Sequence, residues 1–128
     1  MYTNKVIQFF KHPHNVGKIK NPDGLGKAGN PVCGDVMWIY IKAEKNKKGE
    51  EIINDIKFST FGCAVAIACS SVVTDLAKGK RLEDAKKITK EEVAKKLGKL
   101  PQYKYHCSIL AVDALKKAIQ NYEKKKAK

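Results

Sequence analysis

The middle of the chain alternates apolar and polar side chains in two neighbouring stretches. Residues 36–43 carry one apolar set on even positions and another on odd positions, which is typical of a largely covered β-strand. Residues 44–50 are polar and include Gly49, and residues 52–61 then return to a strand pattern. Because antiparallel strands need only a short connection, these stretches predict a β-hairpin.

Helical spacing and helix-end signals flank this hairpin on both sides. Thr3 is a suitable cap for a first helix and Pro13 would end it, while Gly79 would close a helix that follows the hairpin. Thr89, with Glu92 three residues later, predicts a capping box at another helix start. Together these signals predict helices at residues 4–11, 64–78, 89 to about 98 and 108–125.

The order of these elements indicates the fold class. Residues 14–30 contain five glycines or prolines and are expected to form a loop or an irregular edge strand. Strands precede most helices, with one hairpin and no alternating βαβ pattern, so we predict an α+β fold with helices packed on one face of a small antiparallel sheet. We expect residues 1–128 to form one domain, with residues 124–128 as a flexible basic tail.

The composition of the 128 residues, with 43% hydrophobic and 30% charged, is ordinary for a soluble globular protein. No apolar run approaches the ~20 residues that a membrane helix needs, and the first residues lack the pattern of a secretory signal. We therefore expect a cytoplasmic protein with no membrane partner. In a reducing compartment, its four cysteines favour metal or thiol chemistry over disulfides.

The net charge of +13 changes this picture little. The 26 basic residues include a single arginine, Arg81, and the lysines are spread along the chain instead of being gathered in one arm. Because no aromatic-rich nucleic-acid motif accompanies them, we predict no nucleic-acid partner. A basic surface would, however, speed the encounter with acidic proteins.

Three of the four cysteines stand near the ends of predicted elements. Cys33 lies in a loop flanked by proline and glycine, whereas Cys63 and Cys107 each precede a predicted helix. Unpaired amides and the positive end of the macrodipole favour a thiolate at a helix N-terminus. Cys69 differs, because it falls on an apolar helical stripe and is expected to be buried core.

Two further ligand types adjoin these thiols. Asp35 follows the first thiol by two residues, and His106 directly precedes the third. Three thiolates with one nitrogen or oxygen ligand can bind zinc or an iron–sulfur cluster, provided that the fold brings these distant residues to one accessible site. His12 and His14 lie far from any thiol motif and are expected to be surface or capping residues.

Three sequence motifs resemble those of one known family. They are Pro-Val-Cys-Gly-Asp-Val-Met at residues 31–37, Phe-Gly-Cys-Ala-Val-Ala-Ile-Ala at residues 61–68 and Leu-Pro-Gln-Tyr-Lys-Tyr-His-Cys-Ser-Ile-Leu at residues 100–110. In this order they are similar to the motifs of the iron–sulfur cluster scaffold IscU and of the N-terminal domain of NifU. The resemblance implies about three antiparallel strands with helices on one side. It also implies the site residues, with cluster ligands at Cys33, Cys63 and Cys107, and with Asp35 and His106 completing or modulating the site.

The resemblance implies a function as well. The protein would assemble a transient [2Fe–2S] cluster from iron and from sulfur that a cysteine desulfurase of the IscS or NifS type delivers as persulfide, with Cys107 as the candidate acceptor. A ferredoxin-like protein would supply electrons, and apo-proteins would receive the finished cluster. The chain would then be a carrier and not an enzyme. A bridging cluster would also suit a homodimer or a higher oligomer.

A partner loop is implied at Leu100, Pro101 and Lys104, where the family carries a segment that an Hsp70-type chaperone recognises. Gln102 and Tyr103 depart from the family's usual Leu-Pro-Pro-Val-Lys sequence, and the loss of a proline removes preset extended geometry. This departure puts recognition by the same chaperone mode in question.

A related alternative is a zinc-containing persulfide acceptor of the SufU type, which takes sulfur from its desulfurase. That group typically carries an insertion before the third cysteine and lacks the adjoining histidine. His106 and the compact segment 63–107 therefore favour the cluster scaffold. Zinc also suits the ligand set of a scaffold as purified. A third class, a zinc-stapled nucleic-acid binder, would rest on charge alone.

Overall fold

The chain forms a three-stranded sheet and five helices within the residues that the computed structural model describes, which are 4–30, 34–98 and 105–127. The strands are β1 (Gly24–Asn30), β2 (Asp35–Lys45) and β3 (Glu51–Phe61). The helices are α1 (Asn4–Lys11), α2 (Ala64–Ala77), α3 (Leu82–Ala85), α4 (Lys90–Lys96) and α5 (His106–Ala127).

The sheet is antiparallel throughout, in the order β1-β2-β3. Its register places Gly26 beside Ile39 and Ile39 beside Phe58. The turn of the predicted hairpin forms around Asn46, whose side-chain oxygen accepts two backbone N–H hydrogen bonds, and Gly49 takes a φ of +81° there. The hairpin is confirmed, and β1 confirms the edge-strand alternative for part of residues 14–30.

The four predicted helices are present, with small differences at their ends. Thr89 and Glu92 form the predicted capping box, with each side chain bonded to the other residue's backbone N–H at 3.2 and 3.1 Å. The last helix begins at His106, two residues before the predicted start. The four-residue α3 was not predicted, because a single turn is too short to show helical periodicity. No helix in the described ranges is long and apolar enough to cross a membrane.

The helices cover one face of the sheet, as predicted for an α+β fold. Met37, Ile39 and Ile41 point to this face and are fully buried. α5 lies against β1 and β2, α2 lies against β3, and α1 packs on α2. The alternate positions of the strands form the opposite face, which no described helix covers to the same extent.

Two glycines of β1 let α5 approach the sheet closely. A Cβ atom at Gly26 would lie 2.1 Å from the carbonyl oxygen of Ala114, and one at Gly24 would lie 2.3 Å from that of Ala118. Small residues on both elements therefore set the distance between helix and strand. This packing holds the first turn of α5, which carries His106 and Cys107, at the end of the sheet.

Candidate functional site

Three separate parts of the chain meet at one end of the sheet. Asp35 is the first residue of β2, and Cys63 is the N-cap of α2, directly after β3. His106 and Cys107 are the first two residues of α5. Cys33, with the loop residues Leu100, Pro101 and Lys104, lies outside the described residues. The fold therefore brings together four predicted site residues that are up to 72 positions apart in the sequence.

Cys107 occupies the middle of this group. Its Sγ lies 3.9 Å from Cys63 Sγ, 3.7 Å from Asp35 Oδ2 and 3.6 Å from His106 Nε2. His106 Nε2 lies 3.3 Å from Asp35 Oδ2. The ligand atoms of Asp35, His106 and Cys107 all fall within 4.8 Å of one another, and Cys63 joins the group through Cys107.

These separations fit the donor spacing of a metal site. Two thiolates bound at about 2.3 Å to one tetrahedral ion lie about 3.8 Å apart, and a bound thiolate and imidazole nitrogen lie about 3.6 Å apart. The Cys63–Cys107 and Cys107–His106 distances match these values. The arrangement can therefore bind zinc or iron with little movement of the side chains.

Burial controls the protonation of the central thiol. The Cys107 side chain is fully buried, whereas Cys63 is half-buried. Burial raises the pKa of the Cys107 thiol well above its ordinary value, and the neighbouring Cys63 thiol adds to the increase. The prediction that the helix N-terminus favours a thiolate is thus wrong for Cys107 without metal, because loss of hydration outweighs the macrodipole. The expectation of an accessible rim fits Cys63 but not Cys107.

Gly62 leaves room for the Asp35 carboxylate because it has no side chain. Asp35 is almost fully buried, and a Cβ atom at Gly62 would lie 2.6 Å from Asp35 Oδ1. Any side chain at position 62 would push the carboxylate away. The sequence shows Gly62 only as the residue that ends a strand, so this role was missed. The signal available was the glycine directly before the thiol in the Phe-Gly-Cys motif.

Cys69 is buried in the core, as predicted. Burial raises the pKa of the Cys69 thiol, with a smaller contribution from Cys63. His12 and His14 are exposed, and His14 Nδ1 lies 2.6 Å from Asp75 Oδ2, which confirms that both are surface residues. None of the three belongs to the cluster of ligand atoms found among the described residues.

Comparisons with known proteins find relatives that match almost the whole chain. The NifU-like N terminal domain family matches residues 1–128. The "Iron-sulfur cluster assembly scaffold protein IscU 1" of Archaeoglobus fulgidus is 56% identical over 128 residues, which cover 100% of this chain and 80% of that protein. The "Iron-sulfur cluster assembly scaffold protein IscU" of Escherichia coli K12 is 47% identical over 128 residues, covering 98% of this chain and 96% of that protein.

Two solved structures share the fold. A putative iron-sulfur cluster assembly scaffold protein for the SUF system, from Fervidobacterium islandicum, superposes with a TM-score of 0.72 over 92% of this chain and 96% of that chain, at 21% identity. A NifU-like protein (N-terminal) from Brucella abortus gives a TM-score of 0.68 over 96% of this chain and 94% of that chain, at 18% identity. At these identities the likeness concerns the fold alone.

Proposed function

The chain belongs to the NifU-like N terminal domain family, and on this premise we propose that it is a scaffold on which iron–sulfur clusters are assembled and passed to other proteins. Scaffolds named in this way are carriers, so the chain is not an enzyme. The observation that carries the proposal is the convergence of metal-ligand atoms from β2, the β3–α2 junction and α5 around Cys107. Sequence identity of 56% and 47% with named scaffolds, over nearly the whole chain, is the reason to interpret these ligand atoms as a cluster site.

The proposed ligands are the thiolates of Cys33, Cys63 and Cys107. The contacts among the described residues support the last two, while Cys33 enters through its motif at residues 31–37. Asp35 and His106 are the candidates for the remaining position. We propose a [2Fe–2S] cluster as cargo, as the resemblance of the three motifs implies. Three thiolates with one oxygen or nitrogen ligand would hold this cluster less tightly than four thiolates, which suits release.

Sulfur is proposed to arrive from a cysteine desulfurase as persulfide. The Cys107 thiolate would attack the outer sulfur of the desulfurase persulfide, forming a new S–S bond while the desulfurase thiolate leaves. Two electrons from a ferredoxin-like donor would then convert the Cys107 persulfide to thiol and sulfide. Because Cys107 is buried, this step requires the site to open, and Cys63 is the more accessible thiol.

The proposed partners follow from this chemistry. A desulfurase of the IscS or NifS type supplies sulfur, and apo-proteins take the cluster, in the cytoplasm. A cluster that bridges two chains would favour a homodimer. The chaperone segment at Leu100, Pro101 and Lys104 lies outside the described residues, so an Hsp70-type partner rests on the sequence resemblance.

Anaerobic reconstitution tests the proposal. The protein is incubated with iron, cysteine, a desulfurase and a reductant, and we expect charge-transfer absorption in the visible region, followed by transfer of the cluster to an apo-ferredoxin. A colourless protein that binds zinc and only accepts persulfide would instead support the SufU-like sulfur acceptor. Zinc fits the same donor spacing, so metal content is measured before and after chelation.

A further inference from the structure

Two thiols of the site lie close enough to be joined to each other. Cys63 Sγ and Cys107 Sγ are 3.9 Å apart, although 44 positions separate the two residues in the sequence. Because the sulfur atoms of a disulfide are about 2.05 Å apart, these two atoms would have to approach each other by about 1.9 Å. Rotation about the Cα–Cβ bonds moves sulfur atoms over such a distance. A disulfide between the two residues is therefore within reach of side-chain movement.

Cys63 is the thiol of this pair that a small solute reaches. It is half-buried at the start of α2, and its sulfur forms no capping hydrogen bond with the described first turn of that helix. The helix that it precedes therefore does not fix its side chain. Cys107, in contrast, is fully buried. A dissolved oxidant consequently meets Cys63 before Cys107.

Neighbouring groups hold the buried thiol beside the accessible one. Cys107 Sγ lies 3.7 Å from Asp35 Oδ2, to which the thiol can donate, and 3.6 Å from His106 Nε2. An accessible thiol with a second thiol next to it is the arrangement typical of redox-sensitive cysteines, in which the second thiol resolves the oxidised form of the first. Cys63 and Cys107 have this arrangement.

We propose that Cys63 and Cys107 form a peroxide-sensitive thiol pair that closes the site by forming a disulfide bond. In the first step the Cys63 sulfur takes one oxygen atom from hydrogen peroxide, which gives a sulfenic acid and water. In the second step the Cys107 sulfur attacks the Cys63 sulfur. The S–S bond forms, the S–O bond breaks, and the hydroxyl group leaves as water with the thiol proton of Cys107. The two thiols lose two electrons, which hydrogen peroxide accepts.

The disulfide would switch off cluster assembly, and for this consequence the inference rests on the proposed function. It removes two of the three proposed thiolate ligands, so no cluster can be assembled while it persists. It also protects both sulfurs from oxidation to sulfinic acid, which thiols do not reverse. A dithiol reductant would restore the site. One of its thiolates attacks the Cys63 sulfur and releases Cys107, and its second thiol then releases Cys63 as the reductant becomes a disulfide.

Cys69 fits such a pair less well, although it is also a free thiol. It is fully buried in the core. It follows Cys63 by six residues, so at 3.6 residues per turn its side chain projects about 240° around the helix from that of Cys63. Cys107, from another helix, is the described thiol that contacts Cys63.

Peroxide treatment of the reduced, metal-free protein tests the proposal. After alkylation of the remaining thiols, we expect loss of two of the four free thiols and an intact mass lower by two hydrogen atoms before alkylation. Peptide mapping should join Cys63 to Cys107. Because no lysine or arginine lies between Cys63 and Cys69, trypsin leaves both in one peptide, and the disulfide is therefore also mapped in Cys69→Ser.

Substitutions to serine locate each step. Cys107→Ser should stop at the sulfenic acid, which dimedone labels at position 63, whereas Cys63→Ser should leave the buried Cys107 unreacted. Cys69→Ser is the matched control, since it removes a thiol that is just as buried but lies outside the ligand group, and the disulfide should still form. It should also form in Cys33→Ser. Circular dichroism checks that each variant is folded.

The result that would overturn the proposal is a main product in which Cys33 or Cys69 is paired, or oxidation of Cys63 to sulfinic acid without a disulfide. Zinc binding measures the consequence without any cluster. The oxidised protein should lose zinc binding and regain it after dithiothreitol, and equal zinc binding before and after oxidation would also overturn the proposal. Failed reconstitution of the reduced protein would reject the proposed function but leave the disulfide. Normal reconstitution without a disulfide after peroxide would reject this inference alone.

Discussion

At the hairpin end of the sheet, acidic side chains are matched by cations of the same chain, whereas at the other end potential anions gather around Cys107. Arg81 lies 2.6 Å from Glu50 Oε2 and 3.0 Å from Asp84 Oδ2, and Lys126 pairs with Glu51. The Arg81 hydrogen bond lowers the pKa of the Glu50 carboxyl, with a smaller contribution from Asn46. Each of these three carboxylates therefore has a cationic partner in the folded chain.

The thiol end has the opposite electrostatics. Burial raises the pKa of the Cys107 thiol, and its close neighbours are another thiol, a carboxylate and an imidazole. The two thiolates and the Asp35 carboxylate repel one another when all are ionised, so a bound metal would supply the positive charge that balances them. The comparison teaches that carboxylates at one end of a sheet can pair with cations of the same chain, whereas the anionic groups at the other end need a positive charge from bound metal.

The largest effect is expected from removing a thiol at the site. Cys63→Ala and Cys107→Ala should each abolish a stable cluster, because each removes one of the three proposed thiolate ligands. Cys69→Ser should keep the cluster, because that thiol lies in the core outside the ligand group. Visible absorption and iron content after anaerobic reconstitution measure all three. Loss of the cluster in Cys69→Ser, in protein that is still folded, would contradict the assignment of Cys69 to the core.

Alkaline pH should destabilise the metal-free protein. Unfolded thiols ionise from a pKa of about 8.5, whereas burial keeps Cys69 and Cys107 protonated in the folded chain at that pH. Stability from these groups is complete below the unfolded pKa and is lost as the pH rises, by about 1.4 kcal/mol per pH unit for each buried thiol. Urea unfolding between about pH 7.5 and 9.5 measures this slope.

Urea unfolding repeated with bound zinc tests whether Cys107 is a metal ligand. Zinc bound through Cys107 holds that group as a thiolate. The contribution of Cys107 to the fall in unfolding free energy at alkaline pH should therefore disappear, while the contribution of Cys69 remains. In Cys69→Ser the metal-free slope should fall by about half. If zinc left the slope unchanged, Cys107 would not be a ligand.

An effect of intermediate size on cluster transfer is expected from displacing or removing the Asp35 carboxylate. Gly62→Ala places a Cβ atom 2.6 Å from Asp35 Oδ1 and should displace that carboxylate, so it should have the same consequence as Asp35→Ala. We expect cluster transfer to apo-ferredoxin to slow about tenfold in both, with assembly less affected, because groups around metal ligands typically change affinity or activity by that factor or more. Stopped-flow absorption separates the two rates. Transfer at the wild-type rate in both variants would remove Asp35 from the release step.

The fold was predictable wherever the sequence pattern is local. The hairpin at β2 and β3 and the capping box at Thr89 follow from side-chain alternation and from residues three positions apart. For β1 the sequence pattern does not decide between a loop and an edge strand, because the glycines of this segment suggest irregular structure. Their reason is tertiary, since Gly24 and Gly26 make room for the backbone of α5.

The sequence predicted which of the described residues form the site, but not how buried they are. Cys63, Cys107, Asp35 and His106 were identified from their neighbours in the sequence and from a resemblance, and the structure brings them together. Burial of Cys107 could not be predicted, because it depends on how α5 packs against distant strands. The same limit applies to Gly62, whose role appears only when Asp35 lies beside it.

The smallest effect is expected at the hairpin end. Arg81→Gln removes the charge that pairs with Glu50 and Asp84 but leaves the thiol end unchanged. These groups are exposed, so we expect Tm to fall by a few degrees at most, and by less in high salt. Cluster yield and transfer rate should equal those of the wild type, because the ion pairs of this end contain no ligand of the proposed site. Differential scanning calorimetry at two salt concentrations, with reconstitution of the same sample, measures both. A cluster that became labile in Arg81→Gln would mean that the two ends are energetically coupled, and the contrast drawn between them would then be wrong.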